Sequence, residues 1–217
     1  MNEKYIDIHT HHAQNPEETF FLYNITPEEF FRFKLTTGDE QRYFSAGIHP
    51  WHIAEDVENQ LILLNQIAEN QHICAIGETG LDKLCSVDFA LQKNVFARHI
   101  TIACEHKKPL IIHCVKAWSE TMQMLKEHST GVPVLFHGFR GKPPLARMLL
   151  NAGFYLSFGR LFNTESLKIT PLERIFLETD NQNISIKEHY KTVADIKGIT
   201  VKELVEAIEK NRKLHDT

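Results

Sequence analysis

Tyr5-Ile6-Asp7-Ile8-His9-Thr10-His11 is the stretch that decides the fold. Ile6 and Ile8 alternate with Asp7 and His9, which is the two-residue period of a β-strand. His9 and His11 stand two apart, so on a strand or its extended continuation both imidazoles leave on one side. Two imidazoles side by side can hold one divalent cation. The plain alternative is a strand that happens to end in solvated histidines. The later strands decide between these readings.

Seven more apolar runs are bounded by turn residues: Thr19–Ile25, Tyr43–Ile48, Ile73–Ile76, Leu110–His113, Val134–Phe136, Phe154–Ser157 and Ile175–Glu178. Helix-like stretches follow most of them, at Asp56–Glu69, Val87–Glu105, Ser119–Glu127, Pro144–Asn151 and Glu165–Lys168. In the longest, Phe89, Phe96, Ile100 and Ala103 recur at helical spacing and predict a face that lies on a sheet. Strands alternating with helices imply a parallel sheet, and eight such units predict an α/β fold of the TIM-type (β/α)8 class. Residues Val193 to Leu214 read as two helices, with Gly198 ending the first and Thr200 with Glu203 forming a capping box for the second. The 217 residues show no repeat or linker and read as one domain, short for a barrel that runs from roughly 200 residues upward.

One segment resists this pattern. Between His11 and Thr19 there is no room for a helix, and a parallel crossover normally needs about a dozen residues. The barrel is therefore expected to be distorted or shortened here, with its second strand displaced, antiparallel or absent. Further on, Pro27 with Glu28-Glu29 starts a short helix that Gly38 would end.

Hydrophobic residues make up 42% of the chain and charged residues 24%, which suits a folded core. The net charge of −4 gives no global attraction for nucleic acid, so any affinity for phosphates must be local. Cys74, Cys85, Cys104 and Cys114 form no CxxC pair and read as reduced thiols of a cytoplasmic protein. Neither a leader nor a membrane-spanning run is read from the sequence, and a monomer is expected. The 13 histidines hint at metal chemistry.

The C-terminal ends of the strands carry the chemistry. They offer His9 and His11; His49 in Gly47-Ile48-His49-Pro50-Trp51; Glu78 in Gly77-Glu78-Thr79-Gly80-Leu81-Asp82; His113; His137 in Phe136-His137-Gly138-Phe139-Arg140-Gly141; and Asp180 in Leu177-Glu178-Thr179-Asp180. In a barrel these ends converge on the face where active sites are built. A core has little reason to end so many strands in histidine or carboxylate, so together they predict a metal site. Asp7 or Glu178 is a candidate to orient a ligand imidazole, although a satisfied strand polar group explains either one as well. Asp82 reads as a loop or helix-start residue.

These motifs resemble the TatD family of metal-dependent hydrolases, within the amidohydrolase superfamily. The markers are His9-Thr10-His11, GIHP at 47–50, GETGLD at 77–82, IIH at 111–113, FHGFRG at 136–141, LETD at 177–180 and Asn211 in a terminal helix. The resemblance spans nearly the whole chain. It implies two divalent ions, Mg²⁺ or Mn²⁺ in activity with Zn²⁺ tolerated. One would take His9, His11, Glu78 and Asp180, and the other Glu78, His113 and His137, with Glu78 bridging. The chain departs from the family in three loops. The helix after the first strand is missing, His113-Cys114-Val115-Lys116 has no arginine where HSR is common, and Asn181-Gln182-Asn183 replaces the usual turn after the aspartate.

The expected activity is hydrolysis by a water activated between two metal ions, with Asp180 accepting its proton and Glu78 sharing the catalytic role. Lys83, Lys116, Arg140, Lys142 and Arg160 all follow metal-bearing or neighbouring strands, so a barrel would gather them into a basic ring suited to a phosphate-bearing substrate. Ordinary solvated loop charge explains them equally well. His49 and Trp51 offer a hydrogen bond and a stacking face. The leading expectation is a phosphodiesterase or deoxyribonuclease of 3′ exonuclease type, with DNA ends as its partner. The alternatives are a hydrolase of a small ester, lactone or amide, and a metal-binding scaffold without turnover.

Overall fold

The computed structural model describes residues 4–33, 42–128 and 130–213. Eight strands form one sheet whose order follows the chain: β1 Tyr5–Thr10, β2 Thr19–Ile25, β3 Tyr43–Ala46, β4 Ile73–Asp82, β5 Leu110–Val115, β6 Val134–Phe136, β7 Tyr155–Phe158 and β8 Ile175–Leu177. The helices are α1 Pro27–Phe30, α2 Val57–Ile67, α3 Phe89–Glu105, α4 Trp118–Glu127, α5 Pro143–Asn151, α6 Thr164–Ile169, α7 Ile186–Lys197 and α8 Val201–Lys213. The fold class is the TIM-type (β/α)8 barrel, shortened at one place as the sequence predicts. No helix among the described residues is long and apolar enough to cross a membrane. The chain divides into two compact units, Met1–Tyr23 with Leu135–Thr217, and Asn24–Val134.

In the first unit β1 pairs in parallel with β2, Tyr5 opposite Thr19 and Thr10 opposite Tyr23. The second strand is thus a parallel member of the sheet, not antiparallel or absent, and the distortion expected here is a register shift between Asp7 and Thr10. The length rule assumes a helical return, and this return is not helical. The intervening residues, 11–18, span at most about 28 Å when extended. Running back along a strand of 6 residues needs only roughly 20 Å. The link is anchored where it turns, with Lys4 Nζ donating to the Pro16 carbonyl at 2.7 Å and the Thr19 N–H to the Asn15 carbonyl at 2.9 Å.

The same unit pairs β6 with β7 and β7 with β8, all parallel. Thr10 and Asp180 form a parallel bridge in which the Asp180 N–H donates to the His9 carbonyl at 2.9 Å and the His11 N–H to the Asp180 carbonyl at 3.1 Å. Ile6, Phe158, Phe176 and Leu177 are fully buried. Buried Asn211 on α8 donates from Nδ2 to the Leu172 and Ile175 carbonyls, which fixes that helix to the base of β8. Helix α7 starts at Ile186, seven residues before the expected Val193, because Ser185 caps it by accepting from the Glu188 N–H. Gly198, at φ +67°, ends α7, and Thr200 with Glu203 closes a reciprocal capping box on α8, both as expected.

In the second unit β3, β4 and β5 pair in parallel. A Cβ at Gly80, which sits at φ +143°, would run into the His113 carbonyl oxygen, so this close approach requires glycine between Glu78 and Asp82. Helix α3 starts on Asp88, whose carboxylate accepts from the Leu91 N–H at 2.9 Å. It buries Val95, Phe96, Ile100 and Ala103, and burying a large apolar side chain of this kind contributes roughly 1.5–3 kcal/mol. Phe89, expected on that face, is only half-buried and lies beneath the Lys83 and Lys93 ammonium groups. The short helix α1 carries a full capping box from Thr26 and Glu29. Gly38, its expected end, lies outside the described residues.

Candidate metal centre

In the first unit β1 delivers His9 and His11 to one side, as the period-two spacing requires, and the β1–β8 bridge sets Asp180 against them. Asp180 Oδ1 lies 3.8 Å from His9 Nε2 and 3.6 Å from His11 Nε2. Asp180 adopts φ +54°, a left-handed conformation that aspartate tolerates better than most residues and that turns its carboxylate back toward β1. His137, just past β6, packs beside His9 with ring centroids 4.5 Å apart. Its Nδ1 is 3.5 Å from Glu178 Oε1, and the Gly138 N–H donates to that same oxygen at 2.7 Å. Burial alone would push the Glu178 carboxyl up, but His137 beside it, with His9 nearby, holds it below the usual carboxylate range. Asp7 is bound elsewhere. Its carboxylate accepts the Thr179 N–H at 2.9 Å and the Thr179 hydroxyl at 2.6 Å. Burial pushes the Asp7 carboxyl up to about 7 despite those bonds.

In the second unit Glu78 lies within β4, and its N–H donates to Asn24 Oδ1 at 2.9 Å. Glu78 Oε1 is 3.0 Å from His113 Nδ1 and 3.2 Å from His49 Nε2. The far nitrogens of these two rings distinguish their roles. His113 Nε2 lies 3.2 Å from Asp82 Oδ2, so it donates its proton there and leaves an Nδ1 lone pair facing Glu78. His49 Nδ1 instead accepts the Trp51 N–H at 3.1 Å, which commits that lone pair and puts the ring proton on Nε2. His113 is therefore set up as a ligand and His49 as a hydrogen-bond donor. Asp82 is buried and also accepts the Trp51 indole N–H and the Leu84 N–H, each at 2.7 Å. Burial raises its carboxyl, but these donors and His113 bring it below the usual range. Behind the His49 loop, buried His99 accepts the Ile48 N–H on Nε2 at 3.0 Å and donates from Nδ1 to the Val95 carbonyl at 2.7 Å. Burial pushes its pKa down to about 4.

Both donor sets fit a divalent ion. Ligands about 2.1 Å from an ion and 90–109° apart lie roughly 3.0–3.4 Å from one another. The observed separations of 3.0 Å between Glu78 and His113 and of 3.6 and 3.8 Å between Asp180 and the histidines come close to this before any ion draws them in. In the first unit His9, His11 and Asp180 offer three ligand atoms within 4.8 Å of one another; in the second Glu78 and His113 offer two, with His49 beside them as a hydrogen-bond donor. Nitrogen and carboxylate oxygen together suit Zn²⁺, Mn²⁺ and Mg²⁺.

Comparison with known proteins agrees with this geometry. Residues 6–214 match the model of the TatD-related DNases. The chain belongs to the TatD-related DNase family of metal-dependent hydrolases. It is 35% identical over 164 residues to an "uncharacterized metal-dependent hydrolase" of Buchnera aphidicola subsp. Baizongia pistaciae, spanning 71% of this chain but only 62% of that protein, less than two thirds of its length. It is 31% identical over 192 residues to the metal-dependent hydrolase YcfH of Escherichia coli K12, spanning 77% of this chain and 71% of that one. Among solved structures, the TatD homologue YJJV of Escherichia coli K12 shares the fold with a TM-score of 0.82 at 20% identity, over 97% of each chain. A TatD-family hydrolase of Entamoeba histolytica does so with a TM-score of 0.76 at 16% identity, again over 97% of each chain.

Within this TatD chain the residues singled out by sequence fall into place unevenly. His9, His11 and Asp180 meet in one unit, with His137 beside His9. Glu78, His113 and His49 meet in the other. Exposed Arg140 and Arg160 line a pocket with Gly138, Glu178 and Asp180. Lys116 and Lys142 are exposed. Lys83 forms an ion pair with Glu120. Of the two candidates for orienting an imidazole, Glu178 faces His137, whereas Asp7 serves Thr179. Asp82 is no loop residue but the carboxylate behind His113. Its signal was available, since Glu78, Gly80 and Asp82 share one face of a strand. Nothing in the sequence announced Asn24, which accepts from both the Glu78 N–H and the Ser45 hydroxyl.

Proposed function

We propose that this chain is a phosphodiesterase that removes nucleotides from the 3′ ends of DNA with the help of two divalent ions, Mg²⁺ or Mn²⁺ in activity and Zn²⁺ tolerated. The proposed ligands are His9, His11, His137 and Asp180 in one unit and Glu78 and His113 in the other. When bound, such ions supply Lewis-acid polarisation of the phosphate and of the attacking water. The chain's own groups do the rest. Asp180 accepts the proton of the attacking water on its carboxylate, and two main-chain hydrogen bonds hold the residue against β1. Asp82 holds the His113 ring by its Nε2 proton, so that Nδ1 and the Glu78 carboxylate face one another. His49 donates from Nε2. Arg140 and Arg160 receive the phosphate at the pocket beside Asp180.

The observation that carries this reading is that exposed Arg140 and Arg160 line one pocket with Asp180, the carboxylate that faces His9 and His11, in a chain whose net charge is −4. Such a local basic site on an acidic chain suits a small anionic group. The test is a substrate panel. Labelled single-stranded and duplex DNA are assayed beside neutral esters and lactones, with Mg²⁺, Mn²⁺ and Zn²⁺ added singly. Turnover of DNA with release of mononucleotides supports the proposal. Turnover confined to neutral esters or lactones replaces it with the hydrolase of a small ester.

A further inference from the structure

Trp51 has a use that the proposed ligands and arginines do not cover. It is 62% exposed, among the most exposed large apolar side chains described. An indole that open to water is normally free to turn, yet this one is fastened. Its Nε1–H donates to Asp82 Oδ2 at 2.7 Å, the same oxygen that lies 3.2 Å from His113 Nε2. That carboxylate is buried, at 1% exposure, so the anchor is rigid. The indole stands at 90° to the His49 ring with centroids 5.2 Å apart, and 6.3 Å from His113. Leu84, 66% exposed, is tied by its N–H to the other oxygen of Asp82. One buried carboxylate thus fixes a metal-ligand histidine, an exposed indole and the backbone beneath an exposed leucine.

Resting on the phosphodiesterase reading, we infer that Trp51 is a stacking platform for a base of the DNA bound at the Glu78–His113 cluster, so that the substrate presents a planar aromatic base to this cluster. Every base has a π-face, so such a platform binds without reading sequence. An aromatic ring whose polar edge is already hydrogen-bonded offers only its faces to a partner. The net charge of −4 gives a polyanion little general attraction, so base stacking supplies affinity that charge does not. Lys116, which follows His113 and is exposed just beyond β5, is one cation of this unit that an adjoining phosphate could meet.

The test measures binding by titration calorimetry in Mn²⁺. The probes are an uncleavable phosphorothioate trimer of thymidylate and the same trimer with abasic sugars. Trp51→Ala is expected to weaken the thymidylate trimer roughly tenfold, within the range for losing one stacked base. The abasic trimer should bind alike to wild type and Trp51→Ala. Trp51→Phe keeps a ring face but drops the N–H to Asp82, and it should retain most of the preference for bases. In a Trp118→Phe background Trp51 is the sole tryptophan, and its emission should be quenched by the thymidylate trimer alone. If Phe is as poor as Ala, the role of Trp51 is to anchor Asp82 and the platform is refuted. Equal weakening of both trimers refutes it too. If wild type hydrolyses DNA while Trp51→Ala binds both trimers normally, the platform fails and the phosphodiesterase stands. If wild type binds neither trimer and hydrolyses no DNA, both fail together.

Discussion

Replacing His99 with leucine gives a pH signature whose size follows from the structure. The ring is buried, accepts the Ile48 N–H on Nε2 and donates from Nδ1, so it folds as the neutral imidazole. Burial lowers its pKa from 6.5 to about 4. Above pH 6.5 the ring is neutral in folded and unfolded chains alike, and its hydrogen bonds contribute in full. Between pH 6.5 and 4 the unfolded chain takes up a proton that the folded chain refuses, so stability falls by up to about 1.4 kcal/mol per pH unit. Over the whole window the loss is about 3 kcal/mol. His99→Leu cannot titrate and strands the buried Ile48 N–H, which costs roughly 1–3 kcal/mol at pH 7.5. Urea unfolding of metal-free wild type and variant at pH 7.5, 6.5, 5.5 and 4.5 should show wild type ahead at the top of the range and the gap closed or reversed at the bottom. A gap that stays constant with pH would refute the assignment of a neutral, buried His99.

Three more substitutions probe the site. Asp180→Asn keeps a ligating oxygen but cannot take a proton, so single-turnover kcat should fall about 10²-fold or more with only partial loss of metal; near-normal turnover would place the base elsewhere. Asp82→Asn should weaken metal binding roughly 10–100-fold, because His113 loses the carboxylate that orients it; metal titration of the purified variant checks this. Arg140→Glu should raise KM for DNA most at low salt and leave a neutral ester untouched, and a KM that ignores salt would return Arg140 to solvated loop charge.

Much of this was legible because it depends on spacing along the chain. The β1 alternation placed His9 and His11 on one side, and the turn-bounded runs located β2 and β6 to the residue. Glu78, His113, His137 and Asp180 could be singled out because a parallel α/β sheet gathers strand ends. What escaped depends on contacts between distant residues or on backbone paths that length alone does not fix. The parallel placement of β2 was missed because an extended return needs less chain than a helical one. The ion pair of Lys83 with Glu120, on α4, joins residues 37 apart in the chain and was not legible from spacing. Asp82 looked like a helix start because its three donors, Trp51, Leu84 and His113, meet only in the fold. The tautomer of His49 is the instructive middle case. His49 Nδ1 accepts from the N–H two residues on, a local bond that a His-Pro-Trp turn permits but does not demand.

The most direct test of the account follows a 5′-labelled single-stranded oligonucleotide through metal removal and return. After exhaustive chelation the protein should leave the strand intact, and on addition of Mn²⁺ it should shorten the strand stepwise from its 3′ end. The Glu78→Ala protein, prepared alongside, should remain inactive and lose bound metal. Stepwise shortening that survives chelation, or an oligonucleotide left intact by metal-loaded wild type, would contradict the claim that these donors serve a metal-dependent phosphodiesterase.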